Sequence, residues 1–209
     1  MKRTAFMLFI CFITSAIYGQ RKNIAGVYSL DGVMETAAAF KLSSDSTFEF
    51  YYSYGALDRL GSGTYRVEGN NIIFNSQPYP GRDFKMVDSS LTHDNFTTIK
   101  INDDNPAFYN FVACRYKTPA GDTLLYADEE GIIKLPSKTD TIVMWFELSG
   151  ERISTFVINN KNYNSFTFRF EPWGMDKFFI NFTLLYRNDH LEGNHPILEE
   201  GRYSYLKEK

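Results

Sequence analysis

Apolar and polar residues alternate with a period of two along most of this chain. In Thr47-Phe48-Glu49-Phe50-Tyr51-Tyr52-Ser53-Tyr54 one face carries Phe48, Phe50, Tyr52 and Tyr54, and the other carries Thr47, Glu49, Tyr51 and Ser53. Successive side chains of an extended strand point to opposite faces, so this pattern predicts a half-buried strand and cannot line one stripe of a helix. Phe166-Thr167-Phe168-Arg169-Phe170-Glu171 reads the same way. Applied to the whole chain, the pattern predicts strands near 25–30, 38–42, 46–54, 63–68, 71–75, 83–87, 96–101, 107–117, 122–126, 131–135, 140–147, 152–158, 164–171, 177–186 and 202–207. Only Val33 to Ala39, with three consecutive alanines, offers a turn or two of helix.

Turn chemistry separates these runs. Glu68-Gly69-Asn70-Asn71, Ala127-Asp128-Glu129-Glu130-Gly131 and Asn159-Asn160-Lys161-Asn162 supply residues that tolerate positive φ between apolar runs, the mark of a hairpin. Strands this closely spaced predict an all-β, antiparallel fold of barrel or sandwich type. The polar stretch Asn102-Asp103-Asp104-Asn105-Pro106 lies midway, so the expected divisions are a leader over 1–19, one β domain over 20–103 and a second over 104–209, with one continuous sheet system as the alternative.

The leader is read from Met1-Lys2-Arg3-Thr4, the apolar run Ala5 to Ile13, and Ser15, Ala16 and Gly19. A charged start, a short apolar run and small residues at the exit make a signal peptide, too short to span a bilayer core of ~30 Å. Cleavage is expected between Gly19 and Gln20. The rival is a lipoprotein signal using Cys11, which wants a small residue where Ile10 stands. The chain is thus expected to be exported, to the periplasm or beyond the cell, with no membrane span in the mature part.

Composition narrows the partners. Cleavage removes Lys2 and Arg3, taking the formal net charge from −3 to −5, and no basic cluster exceeds the Arg21-Lys22 pair. That charge offers no footprint for a phosphate backbone and excludes nucleic acid as a natural partner. Cys114 is then the one remaining cysteine, in the apolar stretch Phe111-Val112-Ala113-Cys114, so no internal disulfide forms and a buried thiol is expected.

Two resemblances follow from the order of features. Gly26-Val27-Tyr28, then Phe40-Lys41-Leu42-Ser43-Ser44-Asp45 leading into Phe48-Glu49-Phe50, then Gly63-Thr64-Tyr65-Arg66-Val67, Gly69-Asn70 and Ile72-Ile73-Phe74 resemble secreted lipocalin-like small β-barrels over residues 24 to 100. The N-terminal Gly-x-Trp of true lipocalins is missing. Val112-Ala113-Cys114-Arg115-Tyr116, Thr118-Pro119-Ala120-Gly121-Asp122, Ala127 to Leu135 and Thr141-Ile142-Val143-Met144-Trp145 are similar to carboxypeptidase regulatory-like, transthyretin-type sandwiches over 107 to 160. Together the two resemblances imply an antiparallel, lipocalin-like barrel or meander followed by a β-sandwich; domains of the second kind are usually non-catalytic accessories, and the resemblance implies that role.

Candidate chemistry is sparse. Asp189-His190-Leu191-Glu192-Gly193-Asn194-His195 places two imidazoles and two carboxylates together, so His190, Glu192 and His195 form the alternative metal set. Gly193 and Pro196 oppose the helix that a His-Glu-x-x-His motif requires, and a solvated polar loop is the preferred reading. Gly61-Ser62-Gly63 lacks the five-residue nucleophile motif and would have to borrow His93. No phosphate-cradling glycine loop and no cofactor motif is present. Tyrosines join apolar area to a hydroxyl and often line binding surfaces. The candidate ligand set is therefore Tyr52, Tyr54, Asp58 and Arg59 with Glu35, and Trp173 between Pro172 and Gly174 as a carbohydrate platform; Trp145 is assigned to the core. These residues point to an exported, non-catalytic module binding a small molecule, a carbohydrate or a protein, with a secreted hydrolase of carbohydrate or other polymer, metal-assisted or not, as the alternative.

Overall fold

A computed structural model describes residues 24–55, 57–119, 121–149 and 152–209. The expected signal peptide, its cleavage point and Cys11 lie outside the described residues. The strands are β1 (Gly26–Leu30), β2 (Thr36–Leu42), β3 (Thr47–Tyr54), β4 (Leu57–Glu68), β5 (Asn71–Asn75), β6 (Phe84–Ser90), β7 (Thr97–Ile101), β8 (Val112–Thr118), β9 (Gly121–Tyr126), β10 (Ile132–Leu135), β11 (Thr141–Phe146), β12 (Ser154–Val157), β13 (Ser165–Phe170), β14 (Phe182–Arg187), β15 (His190–Gly193) and β16 (Tyr203–Lys207). The fold is all-β as the alternation predicts. Among the described residues no helix is long and apolar enough to cross a membrane.

Eight strands close an antiparallel barrel in the order β1-β16-β15-β14-β5-β4-β3-β2. Two further four-stranded sheets, β10-β7-β13-β6 and β12-β11-β8-β9, pack over one shared core. Phe156 meets Phe168 across them at 4.8 Å between ring centroids, and Phe146 meets Phe170 at the same distance. All pairs in these sheets are antiparallel except β13 with β7.

The pairing divides the chain differently from a cut at 103/104. Barrel strands come from both ends of the chain, and the sandwich is inserted between β5 and β14, which lie side by side with Phe74 opposite Phe182. The polar stretch 102–106 instead carries the chain from one sheet of the sandwich to the other. Local pattern marks strands but says nothing about which distant strand supplies the partner.

Other expectations also shift. No helix forms over 33–39; Thr36 to Leu42 is a strand whose alternate residues Ala38, Phe40 and Leu42 face inward. Pro106–Phe111 is a 3-10 turn, capped by the Asn105 side chain on Ala107 N, where a strand was expected. Trp145 lies half-buried, while its neighbours Met144 and Phe146 fill the core. The polar loop expected at 189–195 is partly strand: the turn at Asn188 and Asp189, φ 49° and 63°, starts β15, and Leu191 points into the core.

The barrel interior is filled with aromatic rings. Phe179, on the segment leading into β14, packs against Phe40, Phe48, Phe50, Phe74 and Phe182 at centroid distances of 5.2 to 6.4 Å. Gly61 makes room for it, since a Cβ there would stand 2.6 Å from the Phe179 ring. Lys177 N donates to Leu60 O, and the amide and carbonyl of Phe179 are both held by Ser76.

Candidate functional site

The two ends of the barrel differ. Turns at 43–46, 69–70 and 188–189 close one end, whereas 31–35, Gly55 and 194–202 and both connections to the sandwich gather at the other. At this loop end Ala38, Tyr52 and Arg59 stand in register on β2, β3 and β4, all facing inward and all buried.

His195 completes the row. It precedes Pro196, which favours an extended backbone, and it turns its ring into the barrel. The ring lies 5.4 Å from Tyr52, 5.5 Å from Tyr203, 6.1 Å from Phe50 and 6.1 Å from Tyr205, nearly parallel to the last. Nδ1 accepts from Ile197 N and Leu198 N, both at 3.0 Å. With Nδ1 an acceptor, the neutral ring carries its proton on Nε2. That nitrogen is buried and has no hydrogen-bond partner, and the Tyr205 hydroxyl is in the same position. Burial, with the Lys177 charge as a smaller cause, lowers the imidazole pKa to about 4. His195 is therefore neutral near pH 7 and presents a fixed N–H.

The candidate ligand set separates into three groups. Tyr52 and Arg59 are neighbours in this row; the Arg59 Nε donates to Met175 O at 3.2 Å and Nη2 to Asp176 O at 3.4 Å. Burial raises the Tyr52 hydroxyl pKa, helped by Tyr54, which stands half-exposed at the rim. Asp58 is on the outer face, accepting from the Tyr51 hydroxyl at 3.4 Å, and Glu35 is exposed in the turn before β2. Trp173 is half-buried with its indole N–H given to Arg82 O at 2.8 Å, so it is not an open platform.

The alternative metal set is dispersed. His190 and Glu192 project from the outer face of β15, with Nε2 and Oε1 at 2.7 Å and the second Glu192 oxygen held by Arg202. Arg202 first and His190 second keep the Glu192 carboxyl below its ordinary range. His195 faces inward. Among the described residues no three His, Cys, Asp or Glu side chains form a metal cage. Ser62 lies within β4 and not on a sharp turn, and the fully buried Cys114 thiol is pushed up to about 11 by burial, far from a reactive thiolate.

Sequence reasoning missed His195 as an interior residue, and with it Tyr203, Tyr205 and Lys177. The one usable signal was Leu191: alternation through His190-Leu191-Glu192 makes a strand, and a chain leaving that strand at Gly193 can fold back over the barrel end.

Arg152, just before β12, ties together the two segments that connect the barrel to the sandwich. It pairs with Asp83 at 3.0 Å, donates to the carbonyls of Gly174 and Asp176, and lies 5.0 and 5.2 Å from the Tyr79 and Phe178 rings. The chain matches no protein-family model, no curated protein and no solved structure.

Proposed function

We propose that this chain is an exported, non-catalytic binding module whose barrel receives a small ligand at its loop end. One observation carries the reading: the buried His195 Nε2–H faces the aromatic interior with no partner. A buried polar group left unsatisfied costs about 1–3 kcal/mol, so such a group in a folded protein calls for an explanation, and a ligand acceptor is one. The neighbouring Tyr203 supplies an amphipathic ring beside it, and the half-exposed Tyr54 another at the rim.

The resemblance to lipocalin-like barrels supports a ligand at one end of the barrel, and the phenylalanine filling restricts that ligand to the outermost layer. The resemblance of the inserted sandwich to carboxypeptidase regulatory-like domains supports an accessory role. Its contribution here is to hold residues 173–176, whose carbonyls bind Arg59 and Arg152.

The test is a fragment screen on the mature chain, read by NMR at the His195 imidazole and the Tyr52 and Tyr203 resonances. Binders are expected to shift these three together. A library that binds only the sandwich, or nowhere, would sink the reading.

A further inference from the structure

We propose that β12, on the sandwich and apart from the barrel site, is a self-association edge: a second copy of this chain adds its own β12 antiparallel to it, about a two-fold axis at Thr155.

The two sandwich sheets end in four edge strands, β6, β9, β10 and β12. An open edge offers amides and carbonyls to other chains, and proteins blunt it with charge, proline or a bulge. Three of the four are blunted. β6 carries Lys85 and Asp88, and its register with β13 breaks between Thr167 and Phe168. β9 carries Asp122, and β10 carries Lys134 and runs into Pro136. β12 with its flanks reads Ile153-Ser154-Thr155-Phe156-Val157-Ile158, with no charge and no proline, and its register with β11 is unbroken.

The backbone of β12 is turned the right way. Ile158 N donates to Asp140 O, and Phe156 and Ser154 stand opposite Ile142 and Met144. Hydrogen-bonded pairs alternate along an antiparallel ladder, so Ser154 and Phe156 bond β11, while the amides and carbonyls of Thr155 and Val157, and of Ile153 by continuation, point away from it. No strand lies beyond β12 in its sheet. A groove of about 300 Å³ opens beside it, lined by Met86, Phe156 and Val157, so the free side faces open space. Ile153 and Val157 are 53% and 70% exposed, and Thr155 is exposed between them.

The sequence around Thr155 is its own complement. In antiparallel pairing centred there, Thr155 lies opposite Thr155 of the second copy, Ile153 opposite Val157, and Val157 opposite Ile153. Threonine pairs and pairs of β-branched apolar residues stabilise cross-strand contacts, and no charge meets a like charge on the strand although each whole chain is net negative. A two-fold contact uses one patch on both copies and closes on itself, and the charged β9 ends the joined sheet at each far side. A contact of one short strand falls below the roughly 1,200 Å² of stable complexes. The dimer is therefore a concentration-dependent one.

Sedimentation of the mature chain over a concentration series reads the association, and amide exchange locates it. The native chain is expected to pass from monomer to dimer as concentration rises, with the Thr155 and Val157 amides exchanging several-fold more slowly in the dimer and the Phe156 amide, already bonded to β11, little changed. Thr155→Lys and Thr155→Glu each set like charges opposite one another at the axis, and each alone is expected to dimerise several-fold more weakly. Mixing the two variants sets lysine opposite glutamate, and the dimer is expected to return. Thr155 is exposed, so both variants are expected to keep the native thermal transition; should one not fold, the exchange series on the native chain reads the contact without it. A native chain that stays monomeric into the millimolar range, a dimer whose Thr155 and Val157 amides exchange as in the monomer, variants that dimerise like the native chain, or a mixture no better than its components overturns the inference. An extended peptide seated on β12 of a chain that stays monomeric would assign the edge to a different partner and overturn it equally.

Discussion

A neutral imidazole inside an aromatic barrel is favoured only while its proton can stay in solvent. The folded His195 titrates at about 4, against about 6.5 for an ordinary histidine. Between these values the unfolded chain binds a proton that the folded chain refuses, so stability falls as pH drops through this window and levels off below it. The shift corresponds to something on the order of 3 kcal/mol. Asp176, whose carboxyl is raised chiefly by burial, works in the opposite sense at the acid end. Urea unfolding of the native chain and of His195→Asn at pH 7, 5.5 and 4 isolates the histidine: the native chain is expected to lose stability over this range, and the variant to lose markedly less. Equal losses would show that the imidazole is hydrated. Little of this was legible in the sequence, where His195 stands among polar neighbours. Its burial depends on the β15 turn and on Pro196, which swing it under the following segment.

At the scale of elements, segment 171–181 is the working joint. It is held from the sandwich by Arg152, from the barrel by Arg59 and Leu60, and from within by Phe179. Removing one member of a buried ion pair leaves an uncompensated charge and costs about 3–5 kcal/mol. Arg152→Ala is therefore expected to destabilise the chain by roughly this amount and to speed amide exchange at Lys177 and Phe179, measured by hydrogen exchange. Unchanged exchange there would mean that Phe179 alone holds the segment. The strands on either side were legible because alternation is a local property: 47–54 and 166–170 needed only their own residues. The joint was not, because Arg152 and Arg59 find their partners across the fold and a sequence pattern carries no distance information.

For the whole molecule, the decisive contact is β1 with β16, which joins Tyr28 to Lys207 and closes the barrel. A chain ending before Tyr203 keeps the complete sandwich but leaves β1 and β15 with open edges. It is expected to lose cooperative barrel unfolding while a transition from the sandwich survives, a distinction that calorimetry of the truncated chain resolves; a barrel transition at the native temperature would show that β16 is dispensable. The all-β class was readable from alternation, and the circuit of strands was not, since the two sides of the closure lie at opposite ends of the sequence. That closure also has a consequence in time. As the chain emerges during synthesis, β1 to β5 appear about a hundred residues before β14, an interval on the order of ten seconds at ordinary elongation rates. Through that interval β1 and β5 are bare sheet edges flanking a phenylalanine-rich face, so the nascent chain depends on a holding factor, or on delayed folding, to avoid pairing with its neighbours.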